Sequence, residues 1–260
     1  SGPWVFSIVG ILLIGIFSAS VVVPDILVTQ FQTSVTYLVA SSLILTGIVQ
    51  LAFTRFVSDR LFEKKKDAIL PNLHGLLLVV VAVSSLLGTL CLFVMLPGLG
   101  LIYRLLMLAG FVLMCGVWVL TVLLSGMKRY KAIVILFGSS YSLIVLGAFW
   151  LRSYGLEGLL GGFVFGNFIL LAGMWTMTVR EFSVRQELIS FEFAQLKLLY
   201  PTLMAIGFLY NLGVWVDKFM FWYFAPTSDQ IIGLLRASLI YDLPVFLSYL
   251  SIIPGMAVFL

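Results

Sequence analysis

Residues 74–96 read HGLLLVVVAVSSLLGTLCLFVML, and no side chain after His74 in this run carries a charge. An α-helix needs about 20 apolar residues to cross the roughly 30 Å of hydrocarbon in a bilayer, since each residue adds about 1.5 Å. The run therefore predicts a transmembrane helix. It ends in a strong turn signal, Pro97-Gly98-Leu99-Gly100, after which another apolar run begins.

Apolar runs of similar length recur along the whole chain. The sequence is 62% hydrophobic and only 10% charged, whereas an ordinary soluble domain is close to half apolar and a quarter charged. A soluble fold of this length could not bury so much hydrocarbon. We therefore predict an all-α polytopic membrane protein with about eight transmembrane helices, at residues 3–23, 33–53, 74–96, 101–124, 132–150, 158–177, 200–224 and 243–260.

The basic residues between these runs are distributed unequally. Eleven lysines and arginines follow the second, fourth and sixth predicted helices, while the other side holds only Arg104, Arg152 and Arg236. Cytoplasmic loops of membrane proteins carry an excess of lysine and arginine. The asymmetry therefore predicts that three connections are cytoplasmic, at residues 54–73, 126–131 and 178–199. Because the positive charge belongs to membrane loops, we expect no nucleic-acid partner.

The connection at residues 180–199 is amphipathic. Leu188, Ile189, Phe193 and Leu196 recur at helical spacing among charged residues. Such a pattern is typical of a helix that lies at the membrane surface. The segment also divides the chain, because six predicted helices precede it and two follow it.

The sequence carries little that indicates catalysis. His74 is its one histidine, and no paired-cysteine spacing or phosphate-binding loop is present. Cys91 and Cys115 both lie inside apolar runs, where we expect them to remain free. We therefore predict no enzyme activity, no metal and no cofactor.

Asp217 and Lys218 interrupt the seventh apolar run. A charged side chain at mid-membrane costs about 2.5–3.5 kcal/mol on insertion scales, and such residues are usually functional. One interpretation is a structural salt bridge with another helix. The other is a substrate or ion path, with Asp217 held by a basic partner or a coupling cation and Lys218 facing a cleft together with Asn211.

Two further patterns mark helix faces. Ser42, Thr46 and Gln50 form a polar stripe on the second predicted helix, which indicates either packing against another helix or a water-filled cavity. On the sixth predicted helix, glycines repeat every four residues and predict close packing against a neighbour; they are Gly158, Gly162 and Gly166.

Five stretches resemble a known family of membrane transporters. They are SGPWVFSIVGILLIG (1–15), QFQTSVTYLVASSLILTGIVQLAFTRFVSDRLFEKK (30–65), PNLHGLLL (71–78), NLGVWVDKFMFW (211–222) and SIIPGMAVFL (251–260). Together they are similar to the PelG family, the transporters of the Pel exopolysaccharide system. The charged segment FTRFVSDRLFEKK is more specific than the apolar stretches, since hydrophobic similarity is common.

The resemblance implies an architecture of twelve helices in two six-helix lobes, as in the flippase and multidrug-exporter superfamily. Residues 1–179 would form the N-terminal lobe, residues 180–199 the linker, and residues 200–260 the start of the second lobe. The substrate would be a partly de-acetylated amino-sugar polymer. The partners would be membrane lipid and a synthase complex with its glycosyltransferase and membrane accessory subunits, in the bacterial inner membrane.

The function that we predict is movement of this polymer from cytoplasm to periplasm through a cavity between two lobes. Two alternatives remain open at this point. One is export of a small molecule or a lipid-linked oligosaccharide by a transporter of the same superfamily. The other is a membrane scaffold that transports nothing and anchors a glycosyltransferase through its basic loops.

Overall fold

The computed structural model describes residues 25–127, 129–182, 187–195, 199–224 and 226–248. Within these ranges the chain forms long α-helices that alternate in direction, followed by a small antiparallel hairpin. The elements are α1 (Asp25–Phe62), α2 (Ile69–Met95), α3 (Leu101–Gly126), α4 (Tyr130–Leu151), α5 (Gly155–Glu181), α6 (Pro201–Tyr223), β1 (Asp229–Ile232) and β2 (Leu235–Ala237).

In the part of the chain that the structure describes, five helical runs are long and apolar enough to cross a membrane. The fourth of them, Tyr130–Glu181, contains both α4 and α5. These two helices are separated by the 3-10 turn Arg152–Tyr154, where Gly155 adopts a φ of 63° that suits a residue without a Cβ. The protein is therefore a multi-pass membrane protein. Its first helix, α1, has 38 residues. It spans about 57 Å, so it extends beyond the hydrocarbon layer.

The helices pack around α3. This helix contacts α1, α2 and α5, while α4 packs mainly on α5 and α6 packs on α1. The buried face of α3 includes Met107, Met114, Cys115 and Trp118. In contrast, α2 exposes a row of large side chains that would face lipid; they include Val79, Val83, Leu86, Leu90 and Val94. The core therefore lies along α3, and α6 joins the bundle mainly through α1.

The described helix ends that flank the basic connections lie at one end of this bundle. The end of α1, the start of α4 and the end of α5 meet there, and we call it the basic end. Arg129 at the start of α4 pairs with Glu181 at the end of α5. At the same end, the Tyr200 hydroxyl donates to Asp59 Oδ2 at 2.6 Å. The other end holds the turns between α2 and α3 and between α4 and α5.

Six of the predicted transmembrane runs correspond to α1–α6. The prediction for residues 3–23 lies outside the described residues, and only the start of the run at 243–260 is described. There the structure has a short apolar helix, Leu239–Ser248. The predicted boundaries of the second run were wrong, because α1 starts at Asp25 and continues to Phe62. Much of the predicted loop at 54–73 is therefore helix, because residues 54–62 belong to α1 and residues 69–73 to α2.

The predicted helix at 180–199 was also wrong over its described part. Residues 187–191 are irregular, and only Glu192–Ala194 forms a 3-10 turn. Apolar side chains at helical spacing do not share one buried face here, since Leu188 is 70% exposed while Phe193 packs on the core. The backbone instead bonds to α2, as the amide of Ser190 donates to the Pro71 carbonyl at 3.0 Å. Tertiary contacts have overridden the local pattern.

Beyond α6 the chain forms the hairpin of β1 and β2, which the sequence analysis did not predict. Gly233 begins its turn with a φ of 56°. A side chain at Gly233 would press on Leu96 in the turn between α2 and α3. Leu235 is buried against the same core. The hairpin therefore covers the end of the bundle opposite the basic end.

Candidate functional site: the seam between α1 and α6

One face of α6 lies along α1, and we call their contact the α1–α6 seam. Gly207, Asn211, Trp215, Lys218 and Trp222 recur at spacings of three and four residues, which places them on one side of a helix. Gly207, Trp215, Lys218 and Trp222 are the buried residues of α6. Two of the sequence candidates, Asn211 and Lys218, are therefore brought together on this face.

The two helices approach most closely at a glycine pair. A Cβ built on Gly47 of α1 would lie 2.7 Å from the Gly207 carbonyl oxygen, and a Cβ on Gly207 would collide with the Gly47 oxygen. Asn211 lies beside this crossing, with Nδ2 donating to the Gly207 carbonyl at 3.0 Å. Only glycine permits the backbones to come so near. Neither glycine was predicted as a packing residue, because Gly47 is alone on α1 and Gly207 is six residues from Gly213, which is not a helical repeat.

Away from the crossing, the seam is filled by aromatic rings. Tyr37 of α1 stacks on Trp222 at a centroid distance of 4.7 Å, and Phe219 meets both rings edge-on. Ala40, Trp215 and Trp222 form a small buried cluster separate from the main core. With Trp215 and Trp222 buried, these rings form a packed aromatic contact between the two helices.

Asp217 and Lys218 form an ion pair with each other within α6, and each also has other partners. Lys218 Nζ lies 3.3 Å from Asp217 Oδ1 and donates to the Val214 carbonyl at 3.2 Å. The flexible lysine chain folds back along its own helix, over the Trp215 ring. Lys218 is only 7% exposed, whereas the Asp217 side chain is 44% exposed. The pair is therefore asymmetric, with the cation inside and the anion at the surface.

A second layer of polar groups follows α6. Tyr241 donates its hydroxyl hydrogen to Asp217 and stacks on Phe221 at 3.8 Å. Asp242 accepts the Trp222 indole N–H at 3.0 Å and the Ser238 amide at 3.0 Å. Burial raises the pKa of Asp242 above its ordinary value, and these two hydrogen bonds oppose the rise. Acidic groups thus hold the short helix against the outer part of α6.

Arg236 fastens the hairpin to the same region. Its guanidinium donates to the carbonyls of Trp222 and Ser228, and its backbone carbonyl accepts the Tyr37 hydroxyl at 3.0 Å. The Tyr223 hydroxyl donates to the Leu234 carbonyl. These contacts close the seam at the end away from the basic end. Sequence reasoning missed Arg236 as a site residue, although an arginine among apolar residues after α6 was a signal.

The polar stripe on α1 lies elsewhere. Ser42 and Thr46 are buried toward α3, where the Trp118 indole donates to Ser42 Oγ at 3.0 Å. Gln50 donates to Thr46 Oγ1 at 2.9 Å, and Thr46 donates to the Ser42 carbonyl. The stripe is therefore a hydrogen-bonded contact between α1 and α3, and the structure does not bring it to the same face as Asn211.

The three candidate packing glycines face α4. A Cβ on Gly162 would lie 2.7 Å from the Ala148 nitrogen, and a Cβ on Gly158 would lie 2.8 Å from the Leu151 carbonyl carbon. Gly166 offers its carbonyl to Ser140 Oγ at 2.6 Å. The α4–α5 contact is thus backbone against backbone over several turns, far from the α1–α6 seam.

Three comparisons with known proteins bear on this arrangement. The model of the PelG family, described as "Putative exopolysaccharide Exporter (EPS-E)", matches residues 1–260. Neither the search of curated proteins nor that of solved structures found a match. The match covers every helix described above and both sides of the seam. The chain therefore belongs to the PelG family of exopolysaccharide exporters.

Proposed function

We propose that this chain is part of an inner-membrane transporter that moves an exopolysaccharide from cytoplasm to periplasm. The observation that carries the proposal is the family match across residues 1–260. The charge asymmetry between loops supports a cytoplasmic position for the basic end. We infer that residues 1–179 form one lobe, residues 180–199 the linker and residues 200–260 the start of a second lobe.

In this proposal the α1–α6 seam contributes to the substrate path. It lies where the two inferred lobes meet, and lobe interfaces at the membrane midplane are where transporters place their substrate sites. A glycan offers hydroxyl groups and apolar ring faces. Asn211, Asp217 and Tyr37 supply the complementary hydrogen-bonding and stacking groups within an otherwise apolar bundle.

The seam also suits movement better than the other helix contacts. Apart from the glycine crossing, it is held by aromatic stacking and a few hydrogen bonds, and the Asp217–Lys218 ion pair lies within α6 itself. We infer that α6 shifts relative to α1 when the path opens. A glycosyltransferase and membrane accessory subunits would deliver the polymer at the basic end, where exposed arginine and lysine side chains lie.

The experiment is polymer export in cells whose sole gene copy encodes Asn211→Leu. Loss of the amide beside the crossing should lower secreted polymer severalfold while membrane abundance stays near normal. Thr176→Leu on α5 is the matched control, because Thr176 is exposed and bonds only to its own helix at Ala172. Equal export by both variants and the parent would contradict a role for the seam in the path.

A further inference from the structure

Residues 187–195 lie across the basic end as an irregular segment, which we call the strap. Its backbone is bonded to the start of α2 at two points. The Ser190 amide donates to the Pro71 carbonyl at 3.0 Å, and the Phe193 amide donates to Asn72 Oδ1 at 3.2 Å. Asn72 is fully buried and also donates to the Ala68 carbonyl. The strap is therefore docked on α2 by specific hydrogen bonds.

His74 adds a third attachment, and its partners fix its tautomer. Its Nδ1 lies 2.8 Å from the Leu188 carbonyl oxygen, which can only accept a hydrogen bond. Its Nε2 lies 3.3 Å from the Trp175 indole nitrogen, which can only donate. Both bonds are satisfied together by a neutral ring that carries its hydrogen on Nδ1. His74 thus links the strap to α5 as well as to α2.

Gly75 provides the space in which the strap lies. A Cβ at this position would collide with the Ser190 carbonyl oxygen and would press on the Phe191 ring. A larger residue would therefore displace the strap from α2. Gly75, the buried Asn72 and His74, whose two ring nitrogens are both hydrogen-bonded, together form a specific docking site for the strap.

Phe193 is the side chain that this docking positions. Its ring meets Phe53 of α1 edge-on at 5.9 Å. It covers a small apolar cavity between α1, α2 and the start of α6, whose other lining residues are Val49, Ala52, Leu76, Leu199 and Met204. Phe193 therefore lines, at the basic end of the α1–α6 seam, a cavity that is also lined by residues of both inferred lobes.

We propose that the strap is a gate for the basic end of the seam, with Phe193 as its plug and Asn72 and His74 as its clasp. Release of the clasp lifts Phe193 and opens the cavity toward the basic end. The proposal rests on the proposed function only in taking the seam as the substrate path. Opening of the strap can be measured without any substrate.

The test is thiol labelling beneath the plug. Ala52→Cys is placed in a Cys91→Ser, Cys115→Ser background, and a membrane-impermeant maleimide is applied from the basic side of membrane vesicles. With the clasp intact we expect slow labelling. His74→Phe removes both ring hydrogen bonds and should accelerate labelling about tenfold, whereas Trp175→Phe removes one and should accelerate it about threefold. Ser58→Cys, at an exposed position on α1, is the control that should label at one rate in every background.

Size-exclusion profiles of each variant check that the protein remains folded. An unchanged Ala52→Cys rate in both His74→Phe and Trp175→Phe would overturn the gate. Equal acceleration at Ser58→Cys and Ala52→Cys would also overturn it, because the variants would then have loosened the whole end. If labelling responds as expected but export is unaffected in Asn211→Leu, the gate stands and the proposed substrate path fails.

Discussion

Two helix contacts in this molecule are built around glycine, yet they differ in kind. At the α4–α5 contact, Gly158, Gly162 and Gly166 bring two backbones together over several turns. At the α1–α6 seam, Gly47 and Gly207 touch once, and aromatic and charged side chains fill the rest. The first contact has no room to move without losing packing along its length. We propose that the second pivots about this one point.

The comparison teaches that glycine content alone does not reveal which contact is mobile. Repeated glycines predict a fixed interface because every turn contributes dispersion contacts. At a single glycine crossing, the two backbones come close at one point only. Above and below that point, the helices are in contact through side chains that can exchange partners. On this account, the polar and aromatic side chains of the seam serve both the resting contact and the passing substrate.

The largest effect is expected from alanine at the repeated glycines. Gly162→Ala places a methyl group against the Ala148 backbone nitrogen, and overpacking of this kind costs about 1–3 kcal/mol. Because α4 and α5 cannot separate locally, membrane abundance and melting temperature should both fall. Gly207→Ala meets the Gly47 carbonyl, but α6 can tilt, so abundance should fall less and export should fall more.

Gly213→Ala is the control on α6, since nothing lies within 4 Å of its Cβ position. There the exchange should be neutral or should stabilise the helix by up to about 1 kcal/mol. The proposed difference between the fixed α4–α5 contact and the mobile α1–α6 contact is contradicted if Gly207→Ala lowers the melting temperature more than Gly162→Ala does and leaves export per folded molecule unchanged.

The ion pair of the seam should respond asymmetrically to loss of its two members. Asp217→Asn leaves the Lys218 charge buried without its carboxylate, a situation that costs more than exposure of a lone surface charge. Abundance should therefore fall severalfold. Lys218→Met leaves Asp217 hydrogen-bonded to Tyr241, so abundance should stay near normal while export drops.

Lys131→Met is the matched control for Lys218→Met, because Lys131 is exposed at the start of α4. It should leave abundance unchanged. Immunoblots of membranes and assays of secreted polymer read out all three variants. The opposite order of abundance, with Lys218→Met the less abundant, would show that Lys218 rather than Asp217 is the structural member.

The smallest effect concerns pH. Because burial raises the pKa of Asp242, the folded state binds its proton more tightly than the unfolded state does. The resulting stabilisation is present below the ordinary carboxyl pKa and is lost as pH rises through the raised value. The melting temperature of the parent minus that of Asp242→Asn should therefore decrease as pH rises through this range. A pH-independent difference would contradict the burial of Asp242.

The long helices could be predicted from sequence because each depends on one local property, a run of apolar residues of sufficient length. The conformation of the strap could not be predicted in this way. Leu188, Ile189 and Phe193 have helical spacing, but the strap backbone is hydrogen-bonded to side chains of α2 instead. Periodicity reports only the local preference of a segment. It carries no information about the hydrogen bond between the Leu188 carbonyl and His74, which lies 114 positions away in the sequence.

The candidate site was predictable only in part. Asp217 and Lys218 are conspicuous because charge inside an apolar run is costly, whichever partners it finds. Their pairing was not predictable, since it depends on how the Lys218 chain folds against Trp215. The close contact between Gly47 and Gly207 could not be predicted, because each helix contributes only one of the two glycines. The hairpin left a weaker signal, a glycine between two short β-branched or aliphatic stretches.

The central claim is that α6 moves against α1 while α4 and α5 stay together. It is tested by locking each contact at the basic end in a Cys91→Ser, Cys115→Ser background. Asp59→Cys with Tyr200→Cys places thiols at an α1–α6 contact whose side chains now meet at 2.6 Å. Arg129→Cys with Glu181→Cys does the same for α4–α5, where the native side chains form an ion pair. Each pair is joined by a short thiol cross-linker that contains a reducible disulfide.

The account predicts that cross-linking at 59 and 200 abolishes polymer export, that reduction restores it, and that cross-linking at 129 and 181 leaves export unchanged. Cross-linking yield is measured by mobility on gels, so export can be expressed per locked molecule. Normal export with the α1–α6 contact fully locked would contradict the account, and so would an equal loss of export from the two locks.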